Sequence, residues 1–263
     1  MEATVGIIGG TGVYDASVLE DVKQEPILTD YGEVVIQFGT YQGKRVAFLA
    51  RHGVGHTLPP HLINYRANIQ ALKQVGVQKI IATAAVGSLN EELRPGQFIL
   101  IDQFIDFTKS RASTFYEGGE QGVVHVDMTT PYCTALTAEL KGVASKAKVD
   151  IGVGGTYVCT EGPRFETPAE IKMYAQLGGN LVGMTSVPEV VLAREAQMCY
   201  ATVAMVTNYA AGISQSPLTH KEVVETMDSN REKFKKFIME AISSITEERP
   251  CSCSKAIDEL GKF

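Results

Sequence analysis

Six junctions along the sequence place glycine or another small residue beside side chains suited to holding an anion or a flat polar ligand. The first, Gly6-Ile7-Ile8-Gly9-Gly10-Thr11-Gly12, follows an apolar run; its glycines let backbone N–H groups approach an anion, and Thr11 adds a hydroxyl. The spacing is not the G-x-G-x-x-G of a dinucleotide fingerprint, which leaves an anion loop and a plain tight turn as its readings. In Arg51-His52-Gly53-Val54-Gly55-His56 an arginine leaves an apolar strand, where its planar fork can grip phosphate, or can simply be solvated. Thr83-Ala84-Ala85-Val86-Gly87-Ser88 offers side chains small enough for a ligand to lie against backbone. Cys159-Thr160-Glu161-Gly162-Pro163-Arg164-Phe165-Glu166-Thr167 sets an aromatic ring and a carboxylate just ahead of a helix start. Glu166 there either supports the helix dipole, worth roughly 0.3–1 kcal/mol, or accepts hydrogen bonds from a base. Gly183-Met184-Thr185-Ser186 joins a strand to a helix start, a natural anion site. Thr207-Asn208-Tyr209-Ala210-Ala211-Gly212 puts an amide at the end of an apolar strand, where it can shape a turn or read a ligand.

These junctions need elements to carry them, and short apolar β-type runs supply them: Val5–Ile8, Val34–Phe38, Val46–Ala50, Ile80–Thr83, Phe98–Ile101, Thr156–Cys159, Leu181–Gly183 and Ala201–Val206. Several are continuously apolar, as strands buried on both faces are. Alternating with helical stretches, they indicate a single α/β domain. Thr167-Pro168-Ala169-Glu170, Ser186-Val187-Pro188-Glu189 and Thr219-His220-Lys221-Glu222 match the capping box, the first with proline at the opening helical position. The third opens a long helix with Val223, Met227, Phe234, Ile238, Ile242 and Ile245 at helical spacing. Another helix is expected from about Pro60 to Gly76.

The whole chain of 263 residues has 24 Lys and Arg against 30 Asp and Glu, a net charge of −6, the reverse of what a nucleic-acid backbone binder shows. No apolar run reaches the roughly 18 residues of a membrane span, and Met1-Glu2-Ala3-Thr4 leads straight into a strand, so a soluble cytoplasmic protein is expected. Cys133, Cys159 and Cys199 read as small buried hydrophobes. Cys251 and Cys253 form a Cys-Ser-Cys after Pro250; with no second cysteine pair or nearby histidine, the pattern supports no closed zinc site and reads as a redox-labile or inert tail.

In order along the chain, Gly9-Gly10-Thr11-Gly12, Ala50-Arg51-His52-Gly53, Glu161-Gly162-Pro163-Arg164-Phe165-Glu166-Thr167, and Gly183-Met184-Thr185 followed by Val187-Pro188-Glu189-Val190 resemble the purine nucleoside phosphorylase and methylthioadenosine phosphorylase family, to about Ile245. The resemblance implies one α/β domain over residues 1–248, its mixed central sheet partly closed into a distorted barrel with flanking helices, and a tail over 249–263. It also implies assembly as a homotrimer or as a hexamer, a dimer of trimers. The family cleaves a purine nucleoside with inorganic phosphate, a co-substrate, and uses no cofactor and no metal. Carried over by resemblance, Thr11, Arg51, His52, Thr185 and the backbone at Ala85 hold phosphate. Phe165 and Met184 pack on base and ribose, while Tyr65 and His125 lie on the ribose side, His125 reaching a neighbouring subunit's site. Ala84 stands where the family often has Thr or Asn, so one side-chain donor is missing.

The two branches differ at the base. Methylthioadenosine phosphorylases carry Asp in place of Asn208 and of Ala210, and a small polar residue in place of Glu166; the 6-oxopurine enzymes carry both Glu and Asn. Chemistry explains the pair, because inosine and guanosine have a protonated N1 and a carbonyl at C6. Glu166 can accept from N1–H and the Asn208 amide can donate to N7 or O6. Asn208, Glu166 and His52 are therefore expected to carry catalysis on 6-oxopurine nucleosides, releasing the base and α-ribose 1-phosphate. His220, in His-x-Glu-Val, resembles the histidine that meets a 5′-hydroxyl, where the methylthio enzymes are apolar. Elsewhere the wording is closer to the methylthio branch, so 5′-methylthioinosine or 5′-methylthioadenosine is the alternative substrate. A non-catalytic purine sensor on the same fold is the reading from another class.

Overall fold

The computed structural model describes residues 2–9, 18–53, 55–214 and 219–258, the side chain of His220 excepted. Its strands are β1 (Val5–Gly9), β2 (Glu20–Thr29), β3 (Gly32–Tyr41), β4 (Lys44–Ala50), β5 (Lys79–Ser88), β6 (Phe98–Leu100), β7 (Gln103–Phe107), β8 (Ile151–Val153), β9 (Thr156–Thr160), β10 (Leu181–Gly183) and β11 (Cys199–Tyr209). They make one mixed sheet in the order β2-β3-β4-β1-β5-β10-β9-β7, with β11 on the other edge of β5 and β6 and β8 beyond it.

The branch at β5 positions the site. β1 runs parallel to β5 only as far as the Ile8–Ala82 pair, and β10 joins antiparallel at Val182–Gly87. Between those pairings, residues 83–86 keep β11 on one edge and, among the described residues, no strand on the other. The sheet therefore curls partway toward a barrel without closing, as expected.

Helices α1 (Tyr65–Gln74) and α4 (Ser186–Glu195) cover one face, and α2 (Thr134–Ala147) and α5 (His220–Ser244) cover the other. Strand alternation divides the core accordingly: Ile80 and Ala82 of β5 pack toward Ile69 and Val190, while Ile81 packs toward Leu140 and Phe237. Helix α3 (Pro168–Gln176) closes a smaller cluster with Ile171 against Val158 and Val182.

Local signals account for most helix ends. Thr167 makes the full reciprocal capping box with Glu170, and Thr219 accepts from the Glu222 N–H at 3.2 Å. α1 starts later than expected: Pro60–Leu62 forms a 3₁₀ turn, and the α-helix begins at Tyr65, capped by Asn64. Gly76, at φ +89°, follows its end. The Ser186 box is not made. Thr185 is the N-cap, Val187 has extended angles, Ser186 Oγ meets the Tyr132 hydroxyl at 2.7 Å, and Glu189 turns into the core. Three strands and one helix were not anticipated. β2 is charged, largely exposed and contains Pro26, which a strand tolerates at a sheet edge; β7 and β8 are short. α2 is capped by the Cys133 sulfur instead of an oxygen, so it lacks the usual start signal. Residues 249–258, expected as a tail, pack back on the domain, with Cys253 buried and Gln197 Nε2 donating to Asp258 Oδ1 at 2.8 Å.

Candidate active site

A cavity of about 740 Å³ opens where β5 has lost one neighbour. Its floor is residues 83–87, and alternation decides which backbone groups it exposes. The Thr83 carbonyl is taken on the open edge by Arg51, while the Val86 carbonyl faces the Thr207 hydroxyl of β11 at 3.2 Å. Residues two apart point alike, so Ala85 shares the open edge with Thr83 and presents its N–H to the cavity. The side chain of Ala84 adds no donor.

Arg51 sits at that edge, buried and clamped. Its Nε and one terminal nitrogen donate to the two oxygens of Glu189 at 2.6 and 2.7 Å, and its other terminal nitrogen donates to Thr83 O at 2.8 Å. Glu189 is fully buried and also accepts from the Tyr200 hydroxyl at 2.7 Å. Burial opposes the arginine's charge, but the Glu189 carboxylate outweighs it and holds the guanidinium pKa above its ordinary value. A guanidinium has five N–H groups, so each terminal nitrogen keeps one for a ligand. Thr185, at the N-terminus of α4, lines the same cavity, and its backbone N–H donates to the Tyr157 hydroxyl at 3.2 Å.

The polar groups suited to a base lie on the same cavity. Glu166 is half-buried, with Oε1 accepting from the Thr160 hydroxyl at 2.6 Å, so its second oxygen is the one left for a ligand. Asn208 is buried, and its Nδ2 lies 2.9 Å from the Tyr209 carbonyl. A carbonyl only accepts, so this contact fixes which end of the amide is nitrogen; Oδ1 faces the Thr207 hydroxyl at 2.8 Å. One Nδ2 hydrogen remains for a ligand. Gly87 keeps that space open, since a Cβ there would lie 3.1 Å from Nδ2. Exposed Phe165 and the Met184 side chain add apolar lining, and Val223, Met227, Asp228 and Arg231 overhang from the first turns of α5.

His52 stacks on His56 at 4.1 Å, and its Nδ1 lies 2.9 Å from the Leu58 carbonyl, which requires the proton on Nδ1 and leaves Nε2 an acceptor. Burial pushes its pKa down to about 4; the Leu58 hydrogen bond opposes this, and the Arg51 charge adds to it. The folded state thus binds this proton less well than the unfolded chain does. The stability from a neutral His52 is complete above the unfolded value of about 6.5 and is lost as pH falls from there toward 4. In an NMR titration the His52 ring is expected to show no midpoint between pH 5.5 and 8; a midpoint near 6.5 contradicts the assignment.

Residues 4–243 match the sequence pattern of the phosphorylase superfamily. The chain belongs to that superfamily. A probable 6-oxopurine nucleoside phosphorylase from Moorella thermoacetica is 55% identical over 97% of this chain and 98% of its own length. An S-methyl-5′-thioadenosine phosphorylase from Nitrosopumilus maritimus is 49% identical, covering 98% of each. Among solved structures, a methylthioadenosine phosphorylase from an antarctic soil metagenomic library superposes with a TM-score of 0.91 at 38% identity, covering 98% of this chain and 92% of that one.

Within this phosphorylase fold, Arg51, His52, Ala85, Thr185, Phe165, Glu166, Met184 and Asn208 all meet on one cavity. Thr11 and the side chain of His220 lie outside the described residues. Tyr65 and His125 do not line the cavity. The Tyr65 ring is buried, its hydroxyl donating to Pro60 O at 2.9 Å, and His125 is exposed on the segment between β7 and α2. Sequence reasoning missed Glu189, taken for a capping residue. Its signal was a carboxylate among Val187, Val190 and Leu192, which needs a buried cation. Arg111 was missed too; its guanidinium donates to the carbonyls of Thr160, Glu161, Met184 and Val187 at 2.7–3.1 Å, joining the two loops that flank the cavity.

Proposed function

We propose that the protein phosphorolyses 6-oxopurine nucleosides, inosine and guanosine, to the free base and α-ribose 1-phosphate. The observation that carries this reading is the pair on the base side: a carboxylate oxygen of Glu166 left to accept and an Nδ2 hydrogen of Asn208 left to donate. Hypoxanthine and guanine complement that pair through N1–H and through N7 or O6. Adenine offers a bare N1 to Glu166, and a site whose polar groups go unpaired rejects the wrong ligand by as much as about 10⁴–10⁵.

Phosphate would lie along the open edge of β5, held by the remaining Arg51 N–H groups, the Ala85 N–H and Thr185. Neutral His52 would accept the single P–OH hydrogen of the dianion through Nε2. Phosphate oxygen then forms a bond to C1′ as the C1′–N9 bond breaks, and its electron pair leaves with the purine. The negative charge that builds on the base strengthens the Asn208 contact at N7, which is transition-state binding. Assembly as a trimer belongs to the same reading, since His125 could serve a ribose only across a subunit contact.

A 5′-methylthio nucleoside is the second reading, supported by the apolar Val223 and Met227 that α5 presents to the cavity. The test is kcat/KM with phosphate for inosine, 5′-methylthioinosine, adenosine and 5′-methylthioadenosine. Inosine is expected to lead. If methylthioinosine leads, the base reading stands and the sugar reading falls; a lead by either adenine nucleoside overturns the base reading.

A further inference from the structure

Cys133, Cys199, Cys251 and Cys253 are scattered in sequence, yet their four sulfurs lie within 4.8 Å of one another. Cys133 caps α2, Cys199 opens β11, and the other two come from the segment beyond α5. This is the second cysteine pair that sequence reading lacked. Around a zinc ion with Zn–S bonds of about 2.3 Å, tetrahedral sulfurs stand about 3.8 Å apart. Here the Cys199 and Cys251 sulfurs are 3.4 Å apart.

The surroundings suit thiolates. The Leu136 N–H points at Cys133 Sγ at 3.5 Å, Arg249 Nε donates to Cys199 Sγ at 3.4 Å, and an Arg194 terminal nitrogen donates to Cys253 Sγ at 3.3 Å. Such N–H···S bonds orient sulfur ligands, and two guanidinium groups offset the net charge of −2 that four thiolates and one divalent ion carry. Cys133, Cys199 and Cys253 are buried and Cys251 is half-buried, so the centre has four ligands and no open position, as a structural site does.

We propose that these four cysteines bind one zinc ion, with the four thiols giving up their protons to form a closed tetrathiolate site. The site fastens the chain beyond α5 to α2 and to the start of β11. It stands at the end of β11 away from Asn208, about 30 Å along the strand, so its role is structural and independent of the substrate reading.

The test starts with the full-length protein purified under reducing conditions without chelator. Elemental analysis is expected to find one zinc per chain. Exchange with cobalt(II) is expected to give thiolate-to-metal charge transfer and the intense visible bands of a tetrahedral S₄ site. Cys253→Ser is expected to lose the bound zinc and that spectrum, with a lower Tm and an unchanged kcat/KM; Cys251→Ser is the second variant should the first fail to fold. Metal-free protein in which all five thiols, these four and Cys159, titrate on unfolding, with no cobalt spectrum, would overturn the proposal. So would a mass lower by four hydrogens without metal, which marks two disulfides instead.

Discussion

Asn208→Asp is expected to lower kcat for inosine by about 10²–10³-fold, the usual loss when one donor to developing charge is removed, and to raise adenosine relative to inosine. Asn208 is buried with its nitrogen against the Tyr209 carbonyl. A carboxylate there sets an oxygen against that carbonyl and another lone pair against N7 of the base, just where negative charge accumulates during cleavage. For adenine the same oxygen becomes an acceptor for the 6-amino group. Asn208→Ala separates the effects: it removes the donor without adding repulsion, so it should lose inosine activity without gaining on adenosine. Steady-state kcat/KM for both nucleosides in the two variants checks this. An inosine-to-adenosine ratio that Asn208→Asp leaves unchanged would mean that Asn208 shapes its turn and does not read the base.

That site was legible largely because its residues sit where buried strands end. β1 and β10 are apolar and buried throughout, and β4, β5 and β11 carry long buried apolar runs, so sequence alone locates them, and residues at or just after the ends of β4, β5, β10 and β11 fall on the cavity. β2 escaped because an edge strand facing solvent needs no apolar period; its pairing with β3 holds it in place. Roles that depend on a distant partner were harder. Glu189 has the spacing of a capping residue, and only the fold brings Arg51, 138 positions away in sequence, against it. Likewise Cys199 and Cys251 are 52 positions apart, and nothing local to either marks the other. Local chemistry is written in short stretches, whereas charge pairing and sulfur clustering are set by the topology that crosses β5 and β11.

Replacing Glu189 should show how strongly the phosphate side depends on such a partner. Glu189→Gln keeps the shape but removes the charge that two arginine N–H groups and the Tyr200 hydroxyl address. Among the described residues, Arg51 is then a buried cation with only the Thr83 carbonyl and an amide oxygen as acceptors. Breaking a buried pair from one side costs about 3–5 kcal/mol. For a chain of this size, each kcal/mol lowers Tm by about 2–4 °C, so a fall of roughly 6–20 °C is expected by calorimetry. A positioning role predicts more than instability. Without the two-point grip of Glu189, the fork is no longer held with its remaining N–H groups on the open edge of β5, so KM for phosphate should rise further than KM for the nucleoside. Weaker binding also means weaker stabilisation, so a given concentration of added phosphate should raise Tm less in the variant than in the parent. Glu189→Asp retains the charge at a shorter reach and should fall between the two. An unchanged phosphate KM alongside a lowered Tm would reduce Glu189 to a packing role, and an unchanged Tm would show that Arg51 finds its counter-charge elsewhere.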